Sequence, residues 1–578
     1  MRFSLLCLSM FLFASVTSYA SNLDQITTIA DQFESEYFAA SPETSLLSGR
    51  AEPVLSRFDD HSWIAYQDFE LRKDEFLHRL QQIDPQTLKG TPQYITYRLL
   101  KDTLEHSKAS RICNEPLWKV SPLDGWHVVS TQIAELQPVG TPEYREFALK
   151  RWATFSQVVQ DEINKLKTGA EQGYTAPKAA VNAVLKQVHY LINSPIESSP
   201  YFDMASRDDD LVFQAEIKNL IKTVINPSLA QYATYLHDEY LPIARNAIGV
   251  SALPHGEACY QAKIQENTTL NIAAQDIHDF GRQHMDTLKK EVGDIGRELF
   301  GIESMAQVYE LAMRAPQYLF HSEQEILDYN LAALARVQAK AADWFGTTPK
   351  TPGVIKPYPE YRAKSGAAGE YSPPSEDGSR PGIFYINTYA PEQQSQIGHE
   401  ATLFHELIPG HHFQIALHYE NKTHHSMDKY LWNSGFGEGW ALYVERLADE
   451  MGLYSDNIAK LGMLSNESLR TARLVVDTGI HVMNWTRDDA IEYMKQHTSL
   501  SLGIIEGEVD RYIMLPGQAT AYMLGKREID TLKAEAKARL KHDFDIKEFH
   551  DHVLENGSVS LPLLRELIYQ WLAPAMKP

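Results

Sequence analysis

Residues 405–412 of the chain are His-Glu-Leu-Ile-Pro-Gly-His-His, and residues 436–443 are Phe-Gly-Glu-Gly-Trp-Ala-Leu-Tyr. His405 and Glu406 stand in an otherwise apolar run, where an ionisable side chain needs a partner because burying an unpaired charge is costly. Two imidazoles and a carboxylate from a later helix make up the ligand set of a zinc site that leaves its fourth position open. The two stretches therefore predict a centre for one Zn²⁺ per chain.

The spacing of the histidines departs from the usual H-E-x-x-H pattern, which puts two imidazoles one helical turn apart. In an unbroken helix His411 would point about 120° away from His405, and His412 would share its face but lie about 10.5 Å further along. Pro409 lacks the N–H that would bond to the carbonyl of His405, and Gly410 tolerates a bulge. If two residues are looped out, His411 takes the place of the usual second ligand. We prefer His411 as the second ligand and keep His412 as the alternative. The histidine that does not bind the metal is expected either to support the metal ligands or to contact the substrate.

The third ligand is expected from the segment after residue 433. Glu438 and Glu445 would share one face of a helix there. Glu438 is preferred because the glycines on either side of it permit close backbone approach, and Glu445 is the alternative. His399-Glu400, six residues before His405-Glu406, competes for the role of the first pair.

The rest of the chain is typical of a large helical protein. It has 578 residues, 43% hydrophobic and 22% charged, and apolar residues recur at helical spacing, as at Phe76, Leu80 and Ile83. One stretch differs: a Pro/Gly-rich segment from Gly369 precedes a run over residues 383–388 that is typical of a strand. Residues 352–355 could pair with that strand. We expect a mostly α-helical fold with a small β-sheet next to the metal-binding helix.

Three segments are expected along the chain: a signal peptide over residues 1–20, an N-terminal helical lobe over 21–245 and a metal-binding lobe over 246–578, although one continuous domain is also possible. Arg2, an apolar run from Phe3 to Val16 and small residues before position 21 are typical of an export signal. Cys7 lies too early in that run for a lipoprotein signal. The sequence therefore predicts a periplasmic or secreted protein with no membrane attachment after cleavage.

The composition also bears on partners and on disulfides. The formal net charge of −22 disfavours nucleic acid as a partner, because like charges repel. After signal cleavage two cysteines remain, Cys113 and Cys259, which form either one disulfide in an oxidising compartment or two isolated thiols. The sequence does not indicate an oligomeric state.

Several segments resemble the bacterial domain-of-unknown-function 885 (DUF885) family, which is similar to the thermolysin-like and angiotensin-converting-enzyme-like zinc peptidases. The matching stretches are residues 405–414, 437–443, 377–382, 473–481, 511–512 and 516–522. The resemblance covers roughly Asp24 to Leu572. It implies a metallopeptidase fold and a zinc ligand set, with Glu as the third ligand.

The remaining site residues follow from the chemistry of peptide hydrolysis. Glu406, next to the first ligand, would take a proton from the attacking water and pass it to the leaving amine. Tyr522, Tyr512 and His481 are candidates for donating a hydrogen bond to the oxyanion, and the resemblance favours Tyr522; a half-buried core tyrosine is its alternative role. Arg380, Arg473 and Arg511 could hold a substrate carboxylate, or could pair with Asp377, Asp477 and Asp510 instead.

Taken together, these residues predict a zinc metallopeptidase acting on short peptides. The strand over residues 383–388 would accept an extended peptide if its edge is exposed. An amidase acting on cell-wall peptides needs the same metal chemistry and is one alternative. A metal-dependent peptide-binding protein without turnover is the other, and the presence of Glu406 beside His405 argues against it.

Overall fold

The computed structural model describes residues 4–50, 53–359, 363, 369–376 and 378–573, and for residues 4–21 it describes the backbone alone. The prediction of a mostly α-helical chain with one small sheet is confirmed. Of the expected export signal, residues 1–3, which include Arg2 and Phe3, lie outside the described residues, and residues 4–20 belong to the helix Ser4–Ala40. None of the helices searched among the described residues is both long and apolar enough to cross a membrane.

Internal contacts divide the chain into two compact units. One comprises residues 1–93 and 107–259, and the other comprises residues 94–106 and 260–578. The division at 259 lies downstream of the boundary expected near 245. The assignment of residues 94–106 could not be foreseen, because their partners are distant in sequence: the hydroxyls of Tyr94 and Thr96 donate to Glu566 and Asp428 at 2.6 and 2.7 Å.

The first unit is a helical assembly around an aromatic core that includes Trp126, Trp152, Phe155, Tyr201 and Tyr232, all at most 8% exposed. Cys113 and Cys259 form a disulfide in this unit, with their Cα atoms 4.8 Å apart. Its helices, counting two π-helical segments, are Ser4–Ala40, Pro42–Leu47, Trp63–Gln81, Trp126–Leu136, Pro142–Ala153, Phe155–Glu171, Lys178–Asn193, Asp203–Ser206, Leu211–Leu220, Ile221–Ile225, Asn226–Tyr235 and Leu236–Tyr240.

The second unit carries every predicted site residue. Two helices, Pro92–Ser110 and Gly256–Thr268, contribute residues to both units. The other helices of the second unit are Ala274–Phe300, Met305–Arg314, Glu323–Trp344, His399–Glu406, His411–Glu420, Ser434–Glu450, Asn457–Val482, Arg487–His497, Leu502–Met514, Ala521–Leu540, Ile546–Leu554 and Leu561–Leu572.

The predicted small sheet lies in the second unit and has three strands: β1 (Gly353–Pro357), β2 (Gly369–Ser372) and β3 (Gly382–Ile386). Their order is β1-β3-β2, with β1 parallel and β2 antiparallel to β3. The pairing of residues 352–355 with the strand after Pro381 is confirmed, whereas β2 was not predicted. The expectation that β3 offers an edge to a peptide is wrong, because β3 is paired on both sides.

Candidate metal centre

A break separates the two histidines of the predicted site. The first histidine helix, His399–Glu406, ends before Leu407, and the second histidine helix, His411–Glu420, begins after Gly410. The N–H of Phe413 donates to the carbonyl of Leu407 at 3.2 Å, so this bond spans six residues where an α-helix spans four. The two-residue excess matches the sequence prediction, but the helix is interrupted over residues 407–410 and not merely bulged.

Pro409 and Gly410 explain why the break has this shape. A Cβ atom on Gly410 would lie 1.8 Å from the carbonyl oxygen of His405, so no residue with a side chain fits there without moving the backbone. The carbonyl of Pro409 accepts a hydrogen bond from the indole N–H of Trp440 at 2.9 Å. Trp440 is fully buried, and this bond ties the break to the helix that carries Glu438.

His405, His411 and Glu438 come together at the break. Oε2 of Glu438 lies 3.7 Å from Nε2 of His405 and 3.4 Å from Nε2 of His411. Ligand atoms about 2.1 Å from a tetrahedral zinc ion are about 3.4 Å apart. The two measured distances therefore match the separation of neighbouring ligand atoms around a tetrahedral zinc ion. The same three residues are the group of potential metal ligands found among the described residues.

Glu445 contacts the first histidine of the site, His405, on the ring nitrogen that faces away from Glu438. Its Oε1 lies 2.8 Å from Nδ1 of His405, which leaves Nε2 of that ring directed at Glu438. A carboxylate on the far nitrogen fixes the tautomer and orientation of a metal-binding histidine. Of the two carboxylates weighed from the sequence, the geometry therefore favours Glu438 as the ligand and Glu445 as the residue that positions His405.

His412 points into the sheet. Its Nε2 lies 3.0 Å from the carbonyl oxygen of Thr351, so Nε2 carries the proton, and Nδ1 accepts from the hydroxyl of Tyr371 at 3.0 Å. Burial lowers the pKa of His412, which agrees with a neutral ring. Since both ring nitrogens are engaged, the geometry does not favour the metal or substrate contact considered for this residue.

Two paired glycines make room for the His412 ring. Gly353 of β1 stands opposite Gly382 of β3, and a Cβ atom on either would lie 2.7 or 2.3 Å from that ring. The second histidine helix is thereby anchored to the sheet. The motif residue Asp377, near Gly382, lies outside the described residues.

The helix Ser434–Glu450, here called the glutamate helix, packs closely against the helix Ala521–Leu540, here called the tyrosine helix. A Cβ atom on Gly439 would lie 2.5 Å from the backbone of Gly525. Gly437, on the other side of Glu438, faces the indole of Trp432, where a Cβ atom would come within 2.0 Å. Both glycines around Glu438 thus permit the close contacts that the sequence predicted.

The charges at the centre favour a cation. Burial by itself would raise the pKa of Glu438, but His405 and His411 hold it well below its usual range. Burial would lower the pKa of His405, and the Glu438 and Glu445 carboxylates instead raise it to about 9. Two carboxylates beside two imidazoles thus give the centre a negative charge that suits a divalent metal ion.

Glu406 lies next to the first ligand and is half-buried. In the part of the chain that the structure describes, its carboxylate makes no hydrogen bond or ion pair. By contrast, the competing pair His399-Glu400 is occupied elsewhere: Glu400 accepts hydrogen bonds from Arg336 and from the N–H of Ser455.

The three oxyanion candidates differ in what they already bind. The hydroxyl of Tyr512 bonds to Glu508 and accepts from Arg473 at 3.0 Å, and Nε2 of the fully buried His481 lies 2.9 Å from the carbonyl oxygen of Tyr512. Tyr522 is 9% exposed, and its hydroxyl makes no hydrogen bond to any described residue. The hydroxyl of Tyr522 is thus the one that remains able to donate.

Two of the three predicted arginines, Arg473 and Arg511, have partners other than the expected aspartates; Asp377, the expected partner of Arg380, lies outside the described residues. Arg473 pairs with Glu508 at 2.8 Å, and Arg511 bonds to Gln518 at 2.9 Å and to Glu508 at 3.2 Å. Asp477 instead accepts from Tyr260 and from the N–H of Gly517, and Asp510 pairs with Arg487. Arg380 is exposed, with its side chain 3.4 Å from Oγ of Ser372.

Sequence reasoning missed one residue of this region, Arg470. It lies one helical turn before Arg473, and its guanidinium carbon is 5.8 Å from the centre of the Tyr522 ring. The i, i+3 spacing of two arginines on one helix was the available signal.

Comparison with known proteins gives a family and two solved structures. The profile of a family described as "Bacterial protein of unknown function (DUF885)" matches residues 42–568. A protein of Colwellia psychrerythraea described as a "putative lipoprotein" is 25% identical, with a TM-score of 0.87 over 96% of this chain and 99% of that one. A "putative lipoprotein of unknown function" of Shewanella oneidensis, 17% identical with a TM-score of 0.78, covers 94% and 99% and shows the fold alone. No curated protein matches the chain.

Proposed function

The chain belongs to the bacterial family of unknown function DUF885, and we propose that it hydrolyses peptide bonds with a zinc ion held by His405, His411 and Glu438. The observation that carries the proposal is the spacing of the donor atoms, 3.4 and 3.7 Å from Oε2 of Glu438. It is supported by Glu406, which follows His405 in the sequence and whose carboxylate has no hydrogen-bond or ion-pair partner among the described residues. A site that only bound metal would have no use for that carboxylate.

Zinc, when bound, polarises the scissile carbonyl and makes water easier to deprotonate. Other residues of the protein position the three donor side chains. Glu445 orients His405, the Pro409-Gly410 break directs His411, and the close packing at Gly439 supports Glu438. Such rigid support is what a catalytic metal centre needs.

Glu406 is the proposed general base and acid. Its carboxylate takes a proton from the attacking water and gives it to the leaving amine. This role needs a carboxylate that is not neutralised by a cation, and Glu406 makes no ion pair within the described residues.

Tyr522 is the proposed donor to the oxyanion of the tetrahedral intermediate. Its helix crosses the glutamate helix at Gly525 and Gly439, so Tyr522 and Glu438 both lie within one turn of the crossing. Tyr512 and His481 are less suited, because their polar atoms are engaged inside the protein. Arg380, Arg473 and Arg511 remain proposed substrate contacts.

We also propose that the protein acts outside the cytoplasm, in the periplasm or as a secreted protein. The pattern of residues 1–20, the Cys113–Cys259 disulfide and the description of a relative as a "putative lipoprotein" support an envelope or extracellular location.

The proposal is tested by metal analysis and a peptide digest. Protein purified without added metal should contain about one zinc per chain, and a mixture of short peptides, read by mass spectrometry, should be cleaved. Glu406→Gln is the matched control and should retain zinc but not cleave. Zinc without cleavage of any peptide would support a binding protein, cleavage confined to cell-wall peptides would support the amidase, and failure to bind zinc after reconstitution would refute the site.

A further inference from the structure

Three guanidinium groups surround two tyrosine rings near the candidate metal centre. Arg470 and Arg473 lie one turn apart on the helix Asn457–Val482, and Arg511 lies on the helix Leu502–Met514. The guanidinium carbon of Arg473 is 4.6 Å from the centre of the Tyr522 ring, and that of Arg511 is 5.3 Å from the centre of the Tyr512 ring. This group is called the arginine cluster below.

The arginine cluster carries more positive than negative charge. Glu508 pairs with both Arg473 and Arg511, and Arg470 makes no ion pair in the described part of the chain. Among the described residues, these three cations therefore have one ion-pair partner, the carboxylate of Glu508, in a protein whose formal net charge is −22. A local excess of positive charge in so acidic a chain indicates a site for an anion.

Several donors of the cluster also lack an acceptor. Nη1 of Arg473, Nε of Arg470 and Nε of Arg511 are buried without a hydrogen-bond partner in the described structure. Arg473 is only 6% exposed. Buried donors without an acceptor are costly, and a carboxylate ligand would supply two oxygen atoms in the geometry that guanidinium groups bind best.

The arginine cluster contacts a residue proposed to take part in the reaction. Tyr522, whose ring both Arg470 and Arg473 approach, is the proposed oxyanion donor. Tyr522 also lies one helical turn before Gly525, whose backbone meets Gly439 next to the proposed ligand Glu438. An anion held here would therefore lie beside the proposed oxyanion donor.

We propose that Arg470 and Arg473 bind the C-terminal carboxylate of the peptide substrate, so that the enzyme removes residues from C-termini. This inference rests on the proposed function and adds to it the substrate class and a residue, Arg470. A peptide bond close to the gripped carboxylate would be the one presented to the metal centre, and peptides without a free C-terminus would be poor substrates.

The test compares two short peptides of one sequence, one ending in a free carboxylate and one in an amide. Wild-type protein should cleave the acid about 100-fold faster in kcat/KM, the effect of losing charge-assisted hydrogen bonds. Arg470→Gln should reduce this preference to less than about tenfold, with zinc content unchanged. Arg487→Gln removes an arginine that is paired with Asp510 and should leave the preference as in wild type.

Binding separates this proposal from the proposed function. In the Glu406→Gln background, calorimetry should show the acid binding more tightly than the amide, and Arg470→Gln should reduce the difference, whether or not either peptide is cleaved by the wild type. Equal binding of acid and amide, or an unchanged preference in Arg470→Gln, would overturn the carboxylate site. Tighter binding of a peptide with an internal Glu and an amidated end would assign the site to an acidic side chain and would also overturn it.

Discussion

Nδ1 of His405 lies 2.8 Å from Oε1 of Glu445, and the Glu445 side chain is 1% exposed. The pair fixes the tautomer of His405 and directs Nε2 toward Glu438. A carboxylate that acts through a ligand in this way tunes metal affinity without touching the metal.

Glu445→Gln should therefore weaken zinc binding by about 10- to 100-fold, the usual effect of losing such a partner. Competition with a chelator at equilibrium measures the affinity. Glu450→Gln is the control, because Glu450 lies on the same helix but pairs with Lys533. An affinity equal to wild type in Glu445→Gln would mean that the pair has no part in the centre.

His411→Ala should reduce zinc affinity far more than His412→Ala, because the His411 ring faces Glu438 while the His412 ring is bonded to Thr351 and Tyr371. His412→Ala should instead lower the thermal unfolding midpoint, since it leaves a cavity over Gly353 and Gly382. The same chelator competition ranks the two variants. The reverse ranking would show that His412 is the ligand.

Gly410→Ala should lose both stability and zinc, because the added methyl group would collide with the carbonyl of His405. Gly507→Ala is the matched control: a Cβ atom there meets no atom within 4 Å, and in a helix the change should stabilise by about 0.5–1 kcal/mol. Thermal unfolding and zinc analysis of both proteins decide the matter. A Gly410→Ala protein with normal zinc content would show that the break is more adaptable than its geometry indicates.

Tyr522→Phe should lower the turnover number by about 10²–10³, the effect of removing one oxyanion donor, with zinc content unchanged. Steady-state kinetics on the best peptide substrate measures it. If turnover stays the same, Tyr522 only packs against the arginines, and Tyr512→Phe or a His481 variant is the next to measure.

Asp477 should make the stability of the protein depend on pH. Burial raises its pKa from 3.8 to about 7, so between these values the folded state holds a proton that the unfolded state has released. The contribution of Asp477 to the free energy of unfolding therefore falls as the pH rises through that window. Asp477→Asn resembles the protonated carboxyl and should gain at least about 1 kcal/mol over wild type between pH 5 and pH 8. Urea unfolding of both proteins at pH 5 and pH 8 measures this gain. If the difference in free energy of unfolding between variant and wild type is the same at both pH values, Asp477 does not titrate in that window.

Much of the fold could be predicted because it depends on local pattern. Apolar residues at helical spacing and the Pro/Gly-rich segment before residue 383 predicted helices and a small sheet, and both are confirmed. Strand β2 was missed, since four residues inside a Pro/Gly-rich segment carry no clear period. The partners of residues 94–106 were missed because they lie more than 300 residues away in sequence.

At the candidate site, the sequence supplied the candidates: two imidazoles and a carboxylate of the types that bind zinc, a second carboxylate next to His405, and a Pro-Gly pair that was predicted to add two residues to a helical turn. The tertiary structure adds a preference that the sequence could not give, and its geometry favours His411 over His412, Glu438 over Glu445, and Tyr522 over Tyr512 and His481. The physical reason is that these alternatives share residue type and neighbourhood and differ only in where each side chain points. The direction of each side chain is set by the helices and strands that pack against it. Gly353 and Gly382 make room for the ring of His412, and the contact of Gly439 with Gly525 positions the helix that carries Glu438. These contacts join parts of the chain that are distant in sequence, so no local pattern predicts them.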